Sequence, residues 1–189
     1  MSVLNQQSQK SLRQVVIGKE EISSDATWVC TLPNEFDFID LYFSGLTPAT
    51  DNTALFLRVR DYGATSTESG ASDYAWAYSS QLAATGAVDL SDASDSEIQL
   101  ALAVGSTTTE SCTGHVRIMD FADQAISGNV AKLTTVKFNT TVINATPGYV
   151  DYTGSGWRLA AERSDQVELL FASGDIESGT VVVVGNRVV

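Results

Sequence analysis

Apolar side chains in this chain recur mostly at every second position, the period of a strand with one buried face. Phe36-Asp37-Phe38 opens a run that continues through Ile39, Leu41 and Phe43, and Ala54 to Arg60 sets Leu55, Leu57 and Val59 against Phe56, Arg58 and Arg60. Glu97 to Val104 places Ile98, Leu100, Leu102 and Val104 on one side, and Gly114 to Phe121 alternates Val116 and Ile118 with His115 and Arg117. Val167 to Ala172 and Thr180 to Val184 are short apolar runs rich in strand formers. The pattern predicts on the order of ten strands.

Residues that tolerate positive φ or preset a bend separate these runs: Ser44-Gly45, Pro48 to Asn52, Asp61-Tyr62-Gly63, Pro147-Gly148, Thr153 to Gly156, Ser173-Gly174-Asp175 and Gly185-Asn186. No window of helical length carries a 3.6-residue apolar stripe, and a parallel sheet needs crossover helices. The expected fold is therefore all-β: an antiparallel two-sheet, jelly-roll-like β-sandwich with an extended N-terminal arm. Residues 1–25 are read as the arm or attachment segment, because Met1 to Gln14 is polar and rich in glutamine, and 26–189 as a single sandwich domain. Two further stretches break the rhythm and read as loops: Gly63 to Ser72, and Ala83 to Ser96 with Asp89, Asp92 and Asp95.

Charge narrows the possible partners. Lys and Arg number 11 against 23 Asp and Glu in 189 residues, a formal charge of −12 with no basic run. That balance argues against nucleic acid held on the protein's own surface. No apolar run approaches the roughly 20 residues of a spanning helix, and the start lacks the basic and apolar regions of a signal peptide, so no membrane insertion is expected. Cys30 and Cys112 have neither CxxC spacing nor histidine neighbours and read as free structural thiols.

Several residues invite a chemical reading. His115 is the single histidine, but no GxSxG elbow accompanies it, and Cys112, three positions away on the same strand, would point to the opposite face. The acidic stretch Asp89 to Glu97 lacks the alternate carboxylates and the glycine of a calcium loop, so no metal or cofactor is implied. Alternation puts Tyr74, Trp76 and Tyr78 in one row with Ala75 and Ala77 behind them. Facing out, that row is a ladder for stacking sugar rings or a partner subunit; facing in, it is core, the outcome favoured by the cost of exposing three large rings together. Trp157 carries the same ambiguity, and Tyr74, Trp76, Tyr78 and Trp157 are the candidate glycan- or partner-binding residues.

The segment Phe36-Asp37-Phe38-Ile39-Asp40-Leu41-Tyr42-Phe43-Ser44-Gly45-Leu46-Thr47-Pro48-Ala49-Thr50-Asp51, then Leu55-Phe56-Leu57-Arg58-Val59-Arg60 and Tyr74-Ala75-Trp76, resembles the front of a family of small tailed-bacteriophage virion proteins. Ile176-Glu177-Ser178-Gly179-Thr180 resembles that family's closing strand, with Val183-Val184 where Leu-Tyr is usual. The resemblance implies a β-sandwich of a head fibre, spike, tail fibre or capsid decoration, commonly trimeric, assembled in the host cytoplasm and displayed on the virion. It carries no catalytic residue, so the expectation is a non-enzymatic structural protein joined to other virion proteins through its N-terminal arm and contributing to host attachment. A glycan-binding module, or a polysaccharide hydrolase acting on host surface polysaccharide, is the alternative expectation.

Overall fold

A computed structural model describes residues 12–82, 86–121, 133–143, 148–160 and 162–188. Twelve strands run through the described residues, with no helix among them: β1 (Leu12–Asp25), β2 (Trp28–Thr31), β3 (Phe38–Pro48), β4 (Thr53–Asp61), β5 (Tyr74–Leu82), β6 (Gly86–Asp95), β7 (Ile98–Val104), β8 (Ser111–Met119), β9 (Thr135–Ile143), β10 (Tyr149–Arg158), β11 (Ser164–Phe171) and β12 (Ile176–Val188). They form two antiparallel sheets, a large one ordered β1-β12-β3-β8-β9-β10-β5-β6 and a small one ordered β2-β11-β4-β7.

That order contains a jelly roll. Without β5, β6, β9 and β10, the sheets become β1-β12-β3-β8 and β2-β11-β4-β7, two four-stranded layers between which successive strands alternate except at β4 and β7, which pair within the small sheet. The two pairs left out, β5–β6 and β9–β10, are insertions between β4 and β7 and between β8 and β11. They pair with each other through β10 and β5 and extend the large sheet from four strands to eight.

The core follows from the period of two. β4 alternates buried and half-buried residues along its whole length, with Leu55, Leu57 and Val59 inward. From the facing sheet, Ile39, Leu41 and Phe43 on β3, Val116 and Ile118 on β8 and Val181 and Val183 on β12 point into the same layer. Over the extension the small sheet contributes mainly its edge strand β7, which is tied across the gap by three hydrogen bonds. Thr140 Oγ1 donates to the Leu100 carbonyl at 2.6 Å, Tyr152 Oη to the Leu102 carbonyl at 3.1 Å, and Gln99 Nε2 to Tyr78 Oη at 3.2 Å.

Four sequence readings need correction. The stretch 83–96 is not all loop: Gly86–Asp95 is β6, hydrogen-bonded to β5 but exposed on both faces, so no alternation marks it. Thr153 to Gly156 is not a turn but the middle of β10. A Cβ on Gly154 would lie 2.5 Å from the Ala77 carbonyl oxygen and 2.5 Å from the Phe138 ring, so glycine is there to admit a ring. Gly185, read as part of a turn, lies within β12 for the same reason, with the Phe36 ring over it. Ser44-Gly45 is a bulge inside β3, where pairing with β8 shifts register, and not the strand's end.

The segment assigned to the arm divides. Residues 1–11 lie outside the described residues, whereas Leu12–Asp25 is an edge strand paired with β12 from Leu12↔Val188 to Asp25↔Ile176. Its apolar residues follow no strict alternation, and only Ile22 of its fourteen is buried.

Candidate functional site: the outer face of the large sheet

The aromatic row faces inward. Tyr74, Trp76 and Tyr78 are 0%, 7% and 4% exposed, and their polar ends are occupied inside the protein. Tyr74 Oη accepts from the Val59 amide at 2.9 Å and lies 3.1 Å from the carbonyls of Val59 and Glu68. Trp76 Nε1 donates to Asp95 at 2.9 Å, and its ring stacks on Tyr78 at 5.3 Å. Tyr78 in turn meets Phe138 and Tyr152 edge-on. Burial pushes the Tyr74 and Tyr78 hydroxyls well above the ordinary tyrosine range. A sugar has no ring face to stack on here, so these three residues are core and are withdrawn as glycan-binding candidates. Trp157 differs: it pairs with Thr135 and Ala75 on the outer face and is half-buried.

The same outer face holds the polar constellation that sequence reading missed. Asp40 sits between Ile39 and Leu41 in an apolar run, which gave no hint of its partners. It is 0% exposed, yet it lies opposite Arg117 on β8 with Asn186 nearby on β12. Arg117 closes on it as a fork, Nε to Oδ1 at 2.8 Å and Nη2 to Oδ2 at 3.0 Å. His115 Nε2 lies 2.8 Å from Oδ1, and Asn186 Nδ2 donates to Oδ2 at 3.0 Å. Gln14 Nε2 on β1 holds the Asn186 side chain in turn at 2.9 Å, so four strands meet at one carboxylate. Burial alone would raise the Asp40 pKa, but the hydrogen bonds and charges of Arg117 and His115 outweigh it and hold the carboxyl below its usual range. The Tyr42 ring stacks on His115 at 4.7 Å and the Phe38 ring lies under Arg117 at 4.4 Å.

This arrangement fixes His115 without activating a nucleophile. Its hydrogen bond runs to Asp40, its ring lies against Tyr42, and Cys112 points to the opposite face, fully buried. Cys30 and Cys112 are both free thiols.

Asp40→Ala is expected to lower stability by about 2 kcal/mol at pH 7, the scale of hydrogen bonds to a charged group. Because the folded-state pKa is depressed, that contribution is complete above the unfolded value of about 3.9 and disappears as pH falls through the lower folded value. Urea unfolding of both proteins at neutral pH and again in strong acid would therefore show a gap that closes on the acid side.

A second constellation lies at the end of β10. Arg158, 6% exposed, donates from Nη2 to Asp61 at 3.0 Å and from Nη1 to Asp73 at 3.1 Å, with Glu68 at 3.7 Å and the Tyr74 ring at 5.6 Å. One cation thereby holds three carboxylates and fastens the loop after β4, read from sequence as a plain Ser/Thr/Gly/Ala loop, to the large sheet. Burial, and then the neighbouring Asp61 charge, raise the Glu68 carboxyl above its usual range despite Arg158. Among the described residues no group of three or more His, Cys, Asp or Glu is placed to hold a metal ion.

Across the outer face one register runs through all eight strands: Lys19, Val182, Tyr42, His115, Asn139, Thr153, Ser79 and Asp89. At the β6 end it dips into a shallow groove of about 390 Å³ lined by Thr153, Ala77, Ser79, Asp89 and Ser91.

The chain matches no family model, and no curated protein matches it. Among solved structures it is similar to an aerolysin-like protein of Bombina maxima, at 8% sequence identity over 90% of this chain and 88% of that one, with a TM-score of 0.14. A score that low gives the two backbones no common arrangement, and neither fold nor function passes from one to the other.

Proposed function

We propose that the protein is a non-enzymatic structural component of a tailed-bacteriophage virion: a fibre, spike or decoration subunit, assembled in the host cytoplasm as a homotrimer and contributing to host attachment. The observation that carries this reading is where the family-like segments fall. They fall mostly on β3, β4 and β12, strands of the jelly roll, and on the start of β5 in its extension, so the resemblance concerns strands of both sheets more than loops. The edge strand β1 supports the oligomer. It leaves Leu12, Val15 and Val16 exposed beside one free row of backbone groups, which a neighbouring subunit would cover. Residues 1–11 are the portion assigned to contacts with other virion proteins.

The hydrolase alternative has less support, because glycoside cleavage needs two carboxyls facing each other across an open cleft. The buried carboxylates Asp40 and Asp61 instead close on Arg117 and Arg158. Light scattering at micromolar concentration is expected to give a mass of about three times 20.1 kDa, and antibody labelling is expected to place the chain on purified particles. A single-chain mass together with unlabelled particles overturns the reading.

A further inference from the structure

The two edges of the large sheet are bare, and they differ in character. β6 is exposed along nine of its ten residues and is held by its backbone pairing with β5 and a few side-chain bonds at Val88, Ser94 and Asp95. On its inner side, opposite Ser80 and Tyr78, Val88 and Leu90 are 44% and 41% exposed. A long edge strand with apolar side chains in solvent is a template for further pairing. At the other edge the first five residues of β1, Leu12 to Val16, are all exposed, with Arg13 and Val15 on the inner side, and a bulge at Ile17 ends that flat stretch.

Charge separates the two edges. β6 carries Asp89, Asp92 and Asp95 and no base. β1 has Arg13 and no acid before its bulge, Lys19 just past it, and Glu20, Glu21 and Asp25 in its second half. Copies of a chain with a formal charge of −12 repel one another at large, so a contact between them needs local complementarity of this kind. Topology supplies the direction. The large sheet is antiparallel throughout and has an even number of strands, so β1 and β6 run in opposite senses. A copy rotated about an axis along the strands therefore presents its β1 antiparallel to β6, with the inner and outer faces of the two sheets continuous.

We propose that β6 of one subunit pairs with β1 of the next, joining the large sheets of three copies into one closed ring. Continuous faces allow only every second register. In the one that sets Val15 opposite Leu90, Arg13 stands opposite Asp92 on the same inner side. Followed past the bulge as β12 follows it, that register puts Lys19 opposite Ala87, diagonal to Asp89 on the outer face, and brings Glu20 and Glu21 to the end of β6 and beyond it. A slide of two residues one way sets Arg13 against Leu90, and a slide the other way sets Val15 against Asp92. Apolar pairing of Val15 with Leu90 and Val88, opposite charges across the seam, and the two free backbone rows supply the association. The inference deepens the homotrimer reading and takes from it only the number of copies.

The test is oxidative cross-linking of the full chain carrying Val15→Cys and Leu90→Cys together, in a Cys30→Ser background, read by non-reducing electrophoresis. Within one subunit the two positions lie at opposite edges of eight strands, roughly 33 Å apart at the usual strand spacing, so a bond between them joins two chains. The expected product is a covalent trimer, with no cross-link from either single variant. Arg13→Glu is expected to weaken self-association about tenfold in sedimentation equilibrium, and Arg13→Glu with Asp92→Lys to restore it. Both positions are exposed, so the far-ultraviolet circular dichroism stays that of the parent. A double variant that fails to cross-link while its mass remains that of three chains overturns the edge pairing and leaves the trimer standing. Cross-linking by Val15→Cys alone overturns it and assigns β1 to a twofold contact with itself, and absence of rescue by Asp92→Lys overturns it too. A covalent dimer as the end product supports the pairing and overturns the number of copies, whereas a single-chain mass for the parent overturns both.

Discussion

Trp76→Ala is expected to destabilise the protein by about 3–5 kcal/mol, the range for removing a buried tryptophan. At about 2–4 °C per kcal/mol for a chain of this size, the melting temperature should fall by roughly 10 °C. The loss is large because Trp76 is enclosed on every side that counts. It stacks on Tyr78, donates to Asp95 on the otherwise exposed β6, and covers the end of a ring cluster that continues through Phe138 and Tyr152. Alanine leaves a cavity beneath a part of the sheet that the small sheet covers mainly with its edge strand β7, and it removes a side-chain link holding β6. Thermal unfolding followed by near-ultraviolet circular dichroism measures both. A shift of a degree or two, with the aromatic signal otherwise intact, would mean that the row is not packed as described.

Arg158→Met should be as damaging, for an electrostatic reason. Methionine fills much of the same volume but leaves Asp61, Glu68 and Asp73 facing one another with no cation between them. Removing one partner of a buried ionic cluster typically costs about 3–5 kcal/mol. The pH dependence separates this from a simple packing defect. The Glu68 carboxyl is already raised in the folded protein, and loss of Arg158 raises it further. For an acid with a raised folded-state pKa, the folded form holds more protons than the unfolded one, so stability increases as pH falls through that folded value. The variant should therefore lose less, relative to the parent, in mild acid than at pH 7. Denaturant midpoints of both proteins across that range would show it, and a constant gap would mean that the three carboxylates were not the source of the loss.

How far the fold was legible depended on whether one face of a strand is buried. β4 could be read residue by residue, since Leu55, Leu57 and Val59 face the core while their neighbours reach the rim. β6 could not, because both of its faces meet solvent and nothing in its sequence had to alternate. Glycine misled in a consistent way. Gly154 and Gly185 looked like turn residues, but each is small so that a phenylalanine ring, Phe138 on β9 or Phe36 just before β3, can lie over it, a requirement set outside their own strand. The site was less legible still. Asp40, His115, Arg117, Asn186 and Gln14 come together only through the registers of β1, β12, β3 and β8, and the one trace in the sequence was an acid in the middle of an apolar run. The ring row was visible, but its direction depended on which face β7 would cover.

The place of β12 in the large sheet also governs how the protein is made. β12 is made after every other described strand, yet it lies between β1 and β3, two of the first. While it is still unsynthesised, β1 has no neighbour to bond and one flank of β3 is bare, so the nascent sandwich stands open along that side. Closure thus waits for β12, and a premature stop codon at its start would yield not a shortened jelly roll but an unzipped chain handed to chaperones and proteases.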